Sequence, residues 1–103
     1  MINEKIFFGD KKLLSEGQNF SLNYYLTKIC GNNKLIYGIA IEKLHNDFIL
    51  EREVVSNVSD NYSTVREIIT KMIKYAVTPM TMIDILDDII DDADDMNVLS
   101  RAC

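Results

Sequence analysis

Around Ser59-Asp60-Asn61 the spacing of apolar residues changes from two to about 3.6, and that switch limits what this chain can fold into. Before it, alternation predicts strands. After it, apolar residues recur at helical intervals. Strands followed by helices, without interleaving, is the order of an α+β domain rather than of parallel βαβ units.

The clearest strand is Phe20-Ser21-Leu22-Asn23-Tyr24-Tyr25-Leu26, in which Phe20, Leu22, Tyr24 and Leu26 share one face. Gly31-Asn32-Asn33 supplies residues that tolerate positive φ. Beyond this turn Leu35, Tyr37, Ile39 and Ile41 alternate with Ile36, Gly38, Ala40 and Glu42, which predicts a hairpin. A second turn at His45-Asn46-Asp47 leads into residues 48–55, apolar at the ends and charged in the middle, as an edge strand is. Lys5-Ile6-Phe7-Phe8 and Lys11-Lys12-Leu13-Leu14, broken by Gly9-Asp10, predict an outer hairpin on the same sheet. The expected sheet is an antiparallel meander of three to five strands over about residues 5–57.

Tyr62, Val65, Ile69, Met72, Ile73 and Ala76 then predict an amphipathic helix over about 61–77, ending there because Pro79 disfavours helical geometry at Thr78. Thr78 is a competent N-cap, and Pro79 at the first helical position forgoes only an N–H that would have no partner. A second helix is expected over about 79–92, with Met82, Ile83, Ile85, Leu86, Ile89 and Ile90 as its apolar stripe. Both helices pack on one face of the sheet in this reading. Residues 1–92 then form a single α+β domain, and 93–103 an acidic, flexible tail.

Length supports that division. A chain of 103 residues, 48% hydrophobic and 26% charged, can bury one core without metal or disulfide staples. Two cysteines, Cys30 and Cys103, are too few for a disulfide framework, and the start lacks the pattern of a secretory signal. No apolar run approaches the roughly 20 residues that span a bilayer. The expectation is a cytoplasmic protein with no membrane partner.

The net charge of −5 is unevenly placed. Residues 1–58 balance seven Lys and Arg against seven acids, and residues 59–78 carry +1, whereas 79–103 hold seven Asp against Arg101 alone. The last 25 residues would therefore repel nucleic acid and attract a basic protein surface. Asp84, Asp88, Asp91, Asp92 and Asp95 recur three or four apart, and Asp87 adds to the cluster. Like charges so spaced disfavour the helix by roughly 0.2 to 0.5 kcal/mol per pair, so a solvated face or a frayed end is the plainer reading.

Catalytic chemistry finds little to use. His45 is the only histidine and falls in a turn, where a solvated side chain is far commoner than a base, and Cys30 has no activating neighbour in sequence. Gly9, Gly17, Gly31 and Gly38 are scattered, so no phosphate-cradling loop forms, and one His with two distant Cys makes no standard zinc site. The aspartates lack the interleaved loop that wraps calcium. No cofactor and no metal site are expected.

The sheet offers a second surface. With helices over Phe20, Leu22, Tyr24, Leu26, Tyr37, Ile39 and Ile41, the other face shows Tyr25, Ile29, Ile36, Ala40 and Ile49. That is more apolar than water asks of an open face. Cover by the N-terminal segment, or a homodimer with Tyr25, Ile36 and Ala40 in the contact, answers it. Stacking of nucleic-acid bases there is disfavoured, because few basic residues surround the tyrosines.

Tyr24-Tyr25-Leu26, Tyr37-Gly38-Ile39-Ala40-Ile41-Glu42-Lys43 and the stretch from Val77-Thr78-Pro79 to Asp87-Asp88 resemble a small family of uncharacterised proteins from anaerobic Gram-positive bacteria, known only as a domain of unknown function. The resemblance covers about residues 20–92, and its most specific element is Thr-Pro-x-Thr-x-x-Asp from Thr78. It implies a compact cytoplasmic domain and carries over no reaction, cofactor or catalytic residue.

These readings converge on a non-enzymatic regulator or adaptor that docks a basic protein partner through Asp84, Asp87, Asp88, Asp91, Asp92 and Asp95. Alternatives are a carboxylate-based divalent-metal or accessory enzyme function, and, below both, nucleic-acid binding through the sheet or through Arg66, Lys71 and Lys74.

Overall fold

The computed structural model describes residues 2–31 and 33–88. Four antiparallel strands, β1 (Ile2–Ser15), β2 (Gln18–Gly31), β3 (Lys34–His45) and β4 (Phe48–Ser59), form a meander in the order β1, β2, β3, β4. Helix α1 (Tyr62–Lys74) follows, and a second helix, α2, begins at residue 82 and is described as far as 88. The expected α+β architecture, with both helices on one face of the sheet, is the observed one.

Two-residue loops join the strands. Ser15 pairs with Gln18, Gly31 with Lys34 and His45 with Phe48, leaving two residues at each tip. Glu16 and Gly17 at the first tip, and Asn46 and Asp47 at the third, all have φ between 52° and 78°. This is the left-handed pair of a turn whose twist matches that of the strands it joins.

The N-terminal segment differs from expectation. It makes no hairpin of its own but runs as one strand along β2, and Gly9-Asp10 marks a bulge rather than a turn. Phe7 pairs with Tyr25 and Gly9 with Tyr24, so Phe8 is the extra residue and turns to pack against the core. The reversal lies instead at Glu16-Gly17.

A larger bulge shapes β4. Tyr37 pairs with Ser59 and Ile39 with Val55, so Ser56, Asn57 and Val58 stand opposite Gly38 alone. Val58 is thereby turned into the core. The main chain of Val55 and Ser56 lies so close over Gly38 that a methyl group there would stand 2.7 Å from the Ser56 Cα and nearer still to the Val55 carbonyl oxygen.

The core sits between the sheet and the helices. Leu22, Tyr24 and Leu26 of β2 and Ile39 and Ile41 of β3 meet Val65, Ile68, Ile69 and Met72 of α1. Asn61 caps α1, its Oδ1 accepting from the Thr64 N–H at 3.0 Å. The helix stops at Lys74, a turn earlier than the proline requires, because Ala76 takes up φ +52° and closes the end. The Ala76 N–H donates to the Ile73 carbonyl and that of Val77 to Met72, the paired bonds of a Schellman motif.

α2 also starts later than expected. Residues 78–81 form a turn, with the Thr81 N–H donating to the Thr78 carbonyl at 3.2 Å, and the first α-helical bond runs from Ile85 to Thr81. Met82 and Leu86 then seal α2 into the core. The junction is held from below by Tyr24, fully buried, whose hydroxyl donates to the Val77 carbonyl at 2.8 Å. Burial pushes its phenol well above the ordinary tyrosine value, so it remains a donor at any physiological pH.

Two substitutions check this frame by chemical denaturation. Tyr24→Phe, which leaves the Val77 carbonyl buried without its donor, should cost about 1 to 3 kcal/mol. Gly38→Ala should cost about 1 to 3 kcal/mol by overpacking β4. Gly31→Ala, with open space around the added methyl, should stay within about 0.5 kcal/mol of wild type.

Candidate functional site

The strand register assigns every residue of the sheet to a face. Opposite the helices, Phe7, Tyr25, Ala40 and Val54 line up directly across β1, β2, β3 and β4. On one side of this row stand Asp10, Asn23, Glu42 and Arg52, and on the other Lys5, Thr27 and Gly38. Beyond these come Leu44 with Ile49, and Ile29 with Ile36. Tyr25, Ile36 and Ala40, expected together on this face, are together there.

A single carboxylate ties the face across all four strands. Glu42 Oε2 accepts from Lys5 Nζ at 3.2 Å and from Arg52 Nε at 3.0 Å, while its Oε1 accepts from the Tyr25 hydroxyl at 3.1 Å. Lys5 Nζ also lies 4.4 Å from the Tyr25 ring centre, and Phe7 meets that ring edge-on. Glu42 is 4% exposed, a low figure for a side chain on a face that no described element covers. Ala40 is fully buried among these larger side chains.

Burial by itself would push the Glu42 carboxyl up, but the hydrogen bonds from Lys5, Arg52 and Tyr25 outweigh it and hold the group below the ordinary carboxylate value. A carboxylate so held is a poor proton acceptor. It serves as a cross-strand joint. Sequence alternation placed Glu42 on this face but carried no sign of its partners, which come from positions 37, 17 and 10 residues away.

Around the joint the face also exposes apolar side chains. Phe7 is 57% exposed and Val54 43%, and Ile49 is exposed as well. The N-terminal segment does not cover it, contrary to one of the two expectations, because β1 is consumed as an edge strand in the plane of the sheet.

The acidic helix lies on the other side of the molecule. Asp84, Asp87 and Asp88 are exposed on α2, away from Met82 and Leu86. Among the described residues none of the three takes part in an ion pair. Asp91, Asp92 and Asp95 lie outside the described residues, as do the expected last turn of the helix and the tail. No three of the described His, Cys, Asp and Glu residues converge in a way that could hold a metal ion. Arg66, Lys71 and Lys74 are exposed on α1, with Glu67 among them.

His45 is more engaged than a solvated turn residue. Its Nδ1 hydrogen-bonds the Asn19 carbonyl at 3.0 Å, the Asn46 side-chain amide lies 3.3 Å from Nε2, and its ring packs 5.1 Å from Phe20. Both ring nitrogens are occupied in bracing the end of the sheet. Cys30 is half-buried near the far end of β2. No helix among the described residues is long and apolar enough to cross a membrane.

The Glu42 joint has a defined pH signature. Its folded-state affinity for protons lies below that of the unfolded chain, so its contribution is complete above about pH 4.5 and is lost as pH falls below that value. Glu42→Gln should be less stable than wild type by about 1 to 2 kcal/mol at pH 7, and the gap should narrow on acidification through pH 4. Urea titrations of both proteins across that range measure it; a gap that widens toward acid would refute the assignment.

No curated protein and no solved structure matches the chain. A sequence model of one family does match, over residues 3–92, and so takes in β1 as well as the part in which the resemblance was visible. The sheet, the turn at 78–81 and the described part of α2 all fall inside that span, and the chain belongs to DUF6514, a family of unknown function.

Proposed function

We propose that this protein is a non-enzymatic protein-binding regulator or adaptor in the cytoplasm, and that it docks a basic partner through the acidic face of α2. The observation that carries the reading is the arrangement of α2: Met82 and Leu86 fasten it to the core, while Asp84, Asp87 and Asp88 face water with no ion pair among the described residues. Asp84 lies about one turn from both Asp87 and Asp88, and like charges so spaced weaken the helix that bears them. A complementary surface would relieve that repulsion and would be drawn in by it.

His45 and Glu42 support the non-catalytic half of the proposal. Each is tied to neighbours in a bracing role, His45 by the Asn19 carbonyl and Glu42 by Lys5, Tyr25 and Arg52.

The test compares wild type with Asp84→Asn, Asp87→Asn, Asp88→Asn in one chain. Each is immobilised in native lysate, and captured proteins are identified by mass spectrometry through a salt series. Wild type should retain a protein with a basic surface that elutes as salt rises, and the triple variant should lose it while melting at or above the wild-type temperature. Equal capture by both removes the acidic helix as the docking site.

A further inference from the structure

We propose that the outer face of the sheet is the contact of a homodimer, in which two copies stack sheet on sheet about a two-fold axis lying along the row of Phe7, Tyr25, Ala40 and Val54. The face is of the right size. Fourteen residues of β2 at about 3.3 Å each, across four strands about 4.8 Å apart, make a surface of about 900 Å². A stable complex needs about 800 Å² from each partner. The described chain fills it with nothing: β1 lies in the sheet, and α1 and the described part of α2 pack against the opposite face.

The pattern of side chains selects a second copy as the occupant. An axis along the central row and across the strands leaves each strand over its own counterpart and reverses its direction. Phe7 and Val54, the exposed ends of the row, then meet themselves along the axis, apolar against apolar. Four positions to either side on β3, Leu44 of one copy faces Ile36 of the other, again apolar against apolar. Nearer the axis, on β1, the register sets Lys5 of one copy opposite Asp10 of the other, so at two positions the cation that already pairs with Glu42 stands beside a second carboxylate. Asn23 likewise faces Thr27. Sheets stacked in this way cross at about 30°, which displaces residues least near the axis, where these pairs lie.

Charge permits the contact as well. Glu42 is already neutralised by Lys5 and Arg52 within its own copy, so the most buried charge of the face would enter the interface paired.

Sedimentation equilibrium of the full chain at micromolar concentration tests the proposal. Wild type should run at twice the 11.8 kDa chain mass. Val54→Lys sets two lysines against each other on the axis, at a position 43% exposed in one copy and thus tolerant of the change. It should raise the dissociation constant at least about 30-fold, as removal of an interface hot spot does. Met80→Lys, exposed and remote from the face, should leave the dimer intact. A second readout needs no variant: carbodiimide coupling in a mixture of ¹⁴N- and ¹⁵N-labelled protein should yield Lys5 to Asp10 cross-links joining light and heavy chains. A monomeric wild type, or a dimer that survives Val54→Lys and gives no mixed cross-link at these residues, overturns the proposal.

Discussion

The hydroxyl of Tyr24 reaches from the middle of β2 across the core to the carbonyl of Val77, and the placement of both helices follows from that contact. Val77 is also the residue whose N–H closes α1 through the Met72 carbonyl. One peptide segment therefore ends the first helix, anchors to the sheet and launches the turn into the second. Because the phenol is fully buried, its bond is made in a medium where an unpaired polar group is expensive, which fixes the segment rather than merely favouring it. Ala76 accepts a left-handed conformation, unusual for a residue with a Cβ, to reach this geometry.

With both helices committed to one side, the sheet becomes unequal. The inner face is filled by the apolar core. The outer face has only its own side chains to organise it, and it does so through Glu42, where one residue from each of β1, β2 and β4 meets a carboxylate on β3. That joint makes the outer face a defined surface instead of a loose array of long side chains. It also explains how a charged residue can be nearly inaccessible there without becoming a reactive acid.

The two proposed surfaces are compatible because the sheet lies between them. Stacking two outer faces would leave each α2 pointing away from the interface, so a dimer would present its acidic helices on opposite sides. A basic partner would then find two equivalent sites per assembly, and binding could gain from avidity without further contacts. Each surface can fail independently of the other.

Much of this fold was legible in the chain. Alternation in residues 20–26 and 35–42 assigned β2 and β3 to their faces, and the change of period after Ser59-Asp60-Asn61 divided sheet from helices, because burial on one side imposes a repeat of two on a strand and 3.6 on a helix. The concentration of aspartate in the last 25 residues is likewise a property of sequence alone. Gly9-Asp10 misled, since the same dipeptide suits a turn or a bulge, and only pairing along β2 decided for the bulge. The Glu42 joint, the crossing of β4 over Gly38 and the bond from Tyr24 to Val77 were decided by tertiary structure. Each joins residues 10 to 53 positions apart, and no local pattern encodes which distant donor will reach which acceptor until register and packing have brought them together.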